Sequence, residues 1–179
     1  MTEGFRPAER AVEIADALRR APDLPRRGLV EVLRRHGESP ADLTEAEFPP
    51  AAVESLRAAA ARLTAVLVET DTDRAAELLN GILAEHATPP RLLRHGGHGW
   101  HLHVDRGDDS EWGEWFLASG ALALAQLMSE RGRPAWGECA ASGCRGLFLD
   151  TGPGSARRYC SSTCASRARV AAHRRRLRG

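Results

Sequence analysis

The sequence predicts a mainly α-helical protein with one β-hairpin in its body, closed at the C-terminal end by a small unit that four cysteines hold together. Three observations carry this. Apolar residues recur at helical spacing through most of residues 1–133, and the one stretch of alternation lies between proline- and glycine-rich breaks. All four cysteines of the 179-residue chain fall between positions 139 and 164. A chain of this length can bury one sizeable core and still carry a stapled appendage.

The elements follow in order. Pro7 suits a first helical turn, and Val12, Ile14, Ala15 and Leu18 then fall largely on one face. Pro22 and Pro25 break that helix. Leu29, Val30 and Leu33 make a second, short helix ending at Gly37. Thr44-Glu45-Ala46-Glu47 is a capping box, and Pro49-Pro50 either ends its turn or starts a new helix. Val53, Leu56, Ala60, Leu63, Val66 and Leu67 draw a long apolar stripe. Asp71 or Thr72 can cap a further helix through Leu78, Leu79, Ile82 and Leu83.

The pattern changes after Pro89-Pro90. Arg91 to Arg94 and Trp100 to Val104, separated by Gly96-Gly97, predict the hairpin. Asp109 or Ser110 then caps a helix in which Trp112, Trp115, Phe116, Leu117, Ala121, Leu124, Leu127 and Met128 mostly face the core. Gly132-Arg133-Pro134 ends it and sets the expected boundary between a helical domain over 1–133 and a cysteine-bearing unit over 134–179.

Four residues separate Cys139 from Cys144, fifteen separate Cys144 from Cys160, and three separate Cys160 from Cys164. Two close pairs joined by a segment long enough to turn back is the spacing of a tetrahedral zinc site. The alternatives are four idle buried thiols or a pair of disulfides, which needs an oxidising compartment. The N-terminal residues have no apolar core followed by a cleavage site, and no apolar run is long enough to span a bilayer, so a cytoplasmic protein is expected. In a reducing cytoplasm, paired cysteines point to metal. Leu147-Phe148-Leu149 reads as a short strand, residues 151–155 as a turn and Ala156 to Tyr159 as the returning strand. Ser161 or Ser162 then caps a helix running towards Leu177, so that the last ligand sits in a first helical turn: a treble-clef-like arrangement. With all four positions cysteine, the expectation is one structural Zn2+ and no catalytic ion.

The pattern C-x4-C, F-L-D, R-R-Y-C-S and C-x-x-R-x-x-V-x-A-H-R resembles the CGNR zinc finger. Cys164-Ala165-Ser166-Arg167 stands where that family has its signature, matching at the cysteine and the arginine and differing at the two middle positions. The resemblance implies that residues 1–133 form an ABATE-type domain, a mostly helical bacterial module associated with stress-induced transcription regulation. The order of helices, hairpin, apolar helix and finger agrees with that.

Charge is divided unevenly. From Cys139 onward nine arginines face one acid, giving +8, whereas the preceding residues carry 16 arginines and 23 acids, giving −7. A helix from about Ser162 would set Arg167, Arg174 and Arg178 near one face, Arg169 and Arg176 on another, and Val170, His173 and Leu177 towards the body. Together with Arg157, Arg158 and Arg175 these are the candidate nucleic-acid contacts, since clustered arginines bind phosphate backbone and can read guanine edges. Two other uses stay open: offsetting the −2 of a Zn2+ held by four thiolates, and docking on the acidic body within the chain or in a homodimer.

No G-x-S-x-G, Walker loop or dinucleotide-binding G-x-G-x-x-G with a partner acid occurs, so no enzyme is expected. His95, His98, His101 and His103 lie within nine residues, and His101 and His103 share a strand face. They are candidates for a second metal site or a ligand pocket, but with no acid or cysteine completing a ligand spacing a polar, solvated hairpin is the preferred reading. The expected function is a DNA-binding transcription regulator whose finger presents an arginine helix. A protein-interaction adaptor docking on an acidic surface, or a small-molecule sensor, is the alternative.

Overall fold

The computed structural model describes residues 7–94, 99–107, 110–152 and 156–177. Its element order is α1 (Pro7–Arg20), α2 (Arg26–Arg35), α3 (Pro50–Val68), α4 (Thr72–His86), β1 (Arg91–Leu93), β2 (His101–His103), α5 (Trp112–Arg131), β3 (Trp136–Glu138), β4 (Leu147–Leu149) and α6 (Ser162–Arg176). The protein is therefore mainly α with two small antiparallel strand pairs, β1 with β2 and β3 with β4.

Helices α1, α3, α4 and α5 enclose the core. Their apolar stripes supply Ile14, Leu56, Leu63, Leu67, Leu79, Phe116 and Leu124, all essentially without solvent contact. Burying a side chain of this size contributes roughly 1.5–3 kcal/mol before the loss of conformational entropy is counted. Asp71 caps α4 by accepting from the Arg74 amide, and Gly132, at φ 66°, ends α5 in the left-handed region that glycine alone takes without strain. Gly113 lets α5 approach α3 so closely that a Cβ there would collide with Ser55.

One open choice is decided and two local expectations give way. The Thr44–Glu47 box closes a single turn, with Thr44 Oγ1 accepting from the Glu47 amide at 3.3 Å, and the helix proper starts at Pro50. Of the two readings of Pro49-Pro50, the start of a new helix holds, since proline carries no donor that needs a cap. Glu111 occupies the N-cap of α5 without a side-chain bond, because Ser110 Oγ is occupied by the Arg106 amide at 2.7 Å; Asp109 lies outside the described residues. Finally, β4 does not pair with Ala156–Tyr159. It pairs with β3 in the register Trp136↔Leu149, Gly137↔Phe148 and Glu138↔Leu147. The Arg158 carbonyl instead accepts from the Ala140 amide at 2.8 Å, while residues 153–155 of the expected turn lie outside the described residues.

Arg10 is the one fully buried cation of the helical body among the described residues. It pairs with Glu38 at 2.6 Å, donates to Ser119 Oγ at 3.0 Å and lies 4.1 Å from the centroid of the Trp115 ring. Burial pulls its guanidinium below its ordinary value, while Glu38 and, more weakly, Asp105 hold it up. Trp112 is partly buried, with its indole donating to the Glu47 carbonyl at 2.9 Å, so both tryptophans of α5 serve packing.

Candidate metal centre and arginine helix

The strand pair β3–β4 flanks the first cysteine pair, so the Cys139–Cys144 loop is a knuckle held at both ends by backbone bonds. Cys139 donates its amide to the Gly146 carbonyl at 2.8 Å, and Gly143, at φ 71°, makes the bend. Tertiary contact fixes the knuckle from below. Trp136 is buried, with its indole donating to the Val66 carbonyl at 3.2 Å, and Leu147 joins the main core. The second pair lies at the start of α6: Ser161 is its N-cap, and its hydroxyl accepts from the Cys164 amide at 3.1 Å. Ser161→Ala is expected to lower the stability of α6 by about 1 kcal/mol in chemical denaturation followed by circular dichroism.

These placements converge the four sulfurs. One sulfur each from Cys139, Cys144, Cys160 and Cys164 lies within 4.8 Å of the others. Cys144, Cys160 and Cys164 form a triangle of 3.7 Å on each side. Tetrahedral thiolates at about 2.3 Å from a zinc ion would stand about 3.8 Å apart, so the donor set fits such an ion with little rearrangement. Cys139 and Cys164 are buried and the other two half-buried, leaving no ligand position directed at a substrate. The Gly146 amide, donating to Cys144 Sγ at 3.4 Å, draws that thiol down to about 7, whereas desolvation pushes Cys160 up to about 12. A cation at the centre would favour the thiolate form of all four.

A clasp from the body supports the knuckle. Asp16, Arg19 and Arg20 share the C-terminal turn of α1. Asp16 Oδ1 accepts from the Leu147 amide at 2.7 Å and Oδ2 from Arg20 Nε at 2.8 Å. Arg19 donates to the Arg145 carbonyl and to Glu138, each at 2.8 Å, and Arg20 donates to Cys160 Sγ at 3.6 Å. A Cβ on Gly146 would collide with that Arg20 guanidinium and come within 2.9 Å of Cys160 Sγ, so glycine is needed for the close approach. The sequence carries no signal for this clasp, because its partners stand more than 100 residues apart.

The arginines divide by use. Arg157 donates to the carbonyls of Leu149, Tyr159 and Cys160 at 3.2, 2.8 and 2.5 Å, which ties the loop before α6 together. Arg158 is exposed beside the Tyr159 ring, and Arg167 reaches the Ser142 carbonyl at 3.5 Å. Arg169, Arg174, Arg175 and Arg176 are exposed on α6, and Arg178 lies outside the described residues. Among the described residues, no ion pair joins any arginine of the finger to a carboxylate. Val170, His173 and Leu177 do not face the body as expected: all three are exposed, and Cys164 is the one buried residue of α6. The helix is attached through its first turn and the Arg167 contact to Ser142, and Val170, His173 and Leu177 lie beyond that attachment.

His101 and His103 share a face, as the alternation required, but the hairpin is not merely solvated there. His103 Nδ1 contacts the buried Asp105 carboxylate at 3.0 Å, so an acid does partner this histidine. Both imidazoles line a cavity of about 250 Å³ between the hairpin, α1 and α5. His95 and His98 lie outside the described residues.

A helical body and a four-thiol centre carrying a cationic helix define a zinc-finger class of protein. Residues 25–131 match the family ABATE, described as "Putative stress-induced transcription regulator", and residues 136–177 match the CGNR zinc finger. The chain belongs to the ABATE family and carries a CGNR zinc finger at its C-terminal end. No curated protein matches it. No described helix is long and apolar enough to cross a membrane.

Proposed function

We propose that this protein is a cytoplasmic, bacterial DNA-binding regulator of transcription, with one structural Zn2+ at Cys139, Cys144, Cys160 and Cys164. The observation that carries the reading is α6 itself, which presents Arg167, Arg169, Arg174, Arg175 and Arg176 with no carboxylate partner among the described residues. At 3.6 residues per turn, Arg167 and Arg174 share one face while Arg169 and Arg176 share the opposite one. A helix lying along a groove could therefore engage phosphates on both sides. The ABATE domain supplies the body that positions the finger, and its family description suggests a stress signal as the input. In this reading the protein acts by binding and not by catalysis.

Fluorescence anisotropy with a labelled mixed-sequence duplex tests it. Binding in the micromolar range or tighter at about 50 mM salt is expected, in keeping with non-specific affinities that already reach that range. Absence of binding, with retention of an acidic protein partner instead, would replace DNA with a protein surface as the target.

A further inference from the structure

His101 Nε2 and His103 Nε2 face each other at 2.9 Å. The opposite ring atoms determine what lies between them. His101 Nδ1 contacts the Gly99 carbonyl at 2.8 Å, and a carbonyl only accepts, so the hydrogen of that imidazole sits on Nδ1. His103 Nδ1 contacts Asp105 Oδ2 at 3.0 Å, and an ionised carboxylate only accepts, so its hydrogen sits on Nδ1 as well. In the neutral rings both Nε2 atoms then carry lone pairs, and two lone pairs at this distance repel unless a cation or a shared proton lies between them.

We propose that His101 and His103 are the ligands of a second metal site, for a divalent transition ion that accepts imidazole, with Asp105 as the outer carboxylate that orients His103. A carboxylate on the far nitrogen of a ligating histidine fixes its tautomer and raises its basicity. Asp105 is itself held: its Oδ1 accepts from the Gly107 amide at 2.9 Å, and its side chain is 5% exposed. Arg10 pairs directly with Glu38 at 2.6 Å and feels the Asp105 charge only more weakly. The spacing selects among ions. Metal–nitrogen bonds of about 2.1 Å ending 2.9 Å apart subtend about 90°, whereas tetrahedral zinc needs about 3.4 Å. Right-angled imidazoles suit octahedral or tetragonal Ni2+ or Cu2+. The remaining positions would open on the cavity beside Ser119 and Gln126, where water or a small ligand can complete the shell.

The test uses the full chain loaded with zinc, dialysed against Ni2+ and analysed for both elements. One nickel per chain is expected beside a retained zinc, without the thiolate-to-nickel absorption that the cysteines would produce. His101→Gln and His103→Gln should each weaken nickel binding at least a hundredfold, and Asp105→Asn by about 10–100-fold, with zinc content and helicity unchanged. No nickel uptake by the unsubstituted protein at micromolar concentration would overturn the proposal and leave a shared proton between the rings. Uptake equal in both histidine variants, or uptake only with loss of zinc, would overturn it too. None of these outcomes bears on DNA binding by α6.

Discussion

Cys164→Ser is expected to release the metal ion and melt α6 while leaving the helical body folded. The expectation rests on how the helix is attached. Of its 15 residues only Cys164 is buried, so no apolar face holds the helix against α1–α5. An isolated helix of this length is marginal in water, because nucleation is costly and each added bond contributes little. The Ser161 cap supplies about 1 kcal/mol and the C-terminal arginines a few tenths through the helix dipole. The large term is the metal–thiolate one, since structural sites bind zinc with apparent free energies of about 10–16 kcal/mol. Losing one of four ligands should cut zinc retention by orders of magnitude in elemental analysis. Circular dichroism should then lose a signal equivalent to the 15 residues of α6 and keep that of the body. Retained zinc with unchanged helicity would mean that some other contact holds the helix.

The second large effect is expected from Arg174→Ala/Arg175→Ala/Arg176→Ala. The three guanidinium groups are exposed in the last turn of α6, so removing them leaves the core and the thiol centre untouched. Surface substitutions of this kind usually move stability by less than about 0.5 kcal/mol. If each arginine releases a counterion from duplex DNA, affinity should fall by about 10²–10³ at about 0.1 M salt. Anisotropy titrations of the triple variant check the loss, with zinc content confirming that the finger is intact. Undiminished affinity would move the contact away from this end of the helix. Arg157→Ala should behave differently: its donors are committed to three carbonyls, so its loss should lower the stability of the finger.

Where the signal is local, the sequence discloses the structure well. The apolar stripe from Val53 to Leu67 marks the helix that runs over Pro50–Val68, Asp71, one of two capping candidates with Thr72, caps α4, and Gly132 marks the end of α5. The cysteine spacing identified the thiol centre because so few folds bring such pairs together. What escaped was set by distant partners. Trp136–Glu138 is three residues with no alternation of its own, and it becomes a strand because Leu147–Leu149 returns beside it. Asp16, Arg19 and Arg20 look like the polar end of an amphipathic helix, and only the folded chain shows them gripping the knuckle. Val170 and Leu177 looked like body-facing positions because helical spacing alone cannot show that no neighbour is present. The pair His103 and Asp105 is legible in hindsight as His-x-Asp, but two residues apart in sequence meet only when the strand ends between them.

The most direct test of the central claim is the slope of log affinity against log salt for the zinc-loaded chain on duplex DNA. With Arg167, Arg169, Arg174, Arg175 and Arg176 neutralising phosphates, a straight line with a slope of about −4 to −5 is expected. A flat line, or no measurable complex at low salt, would contradict it.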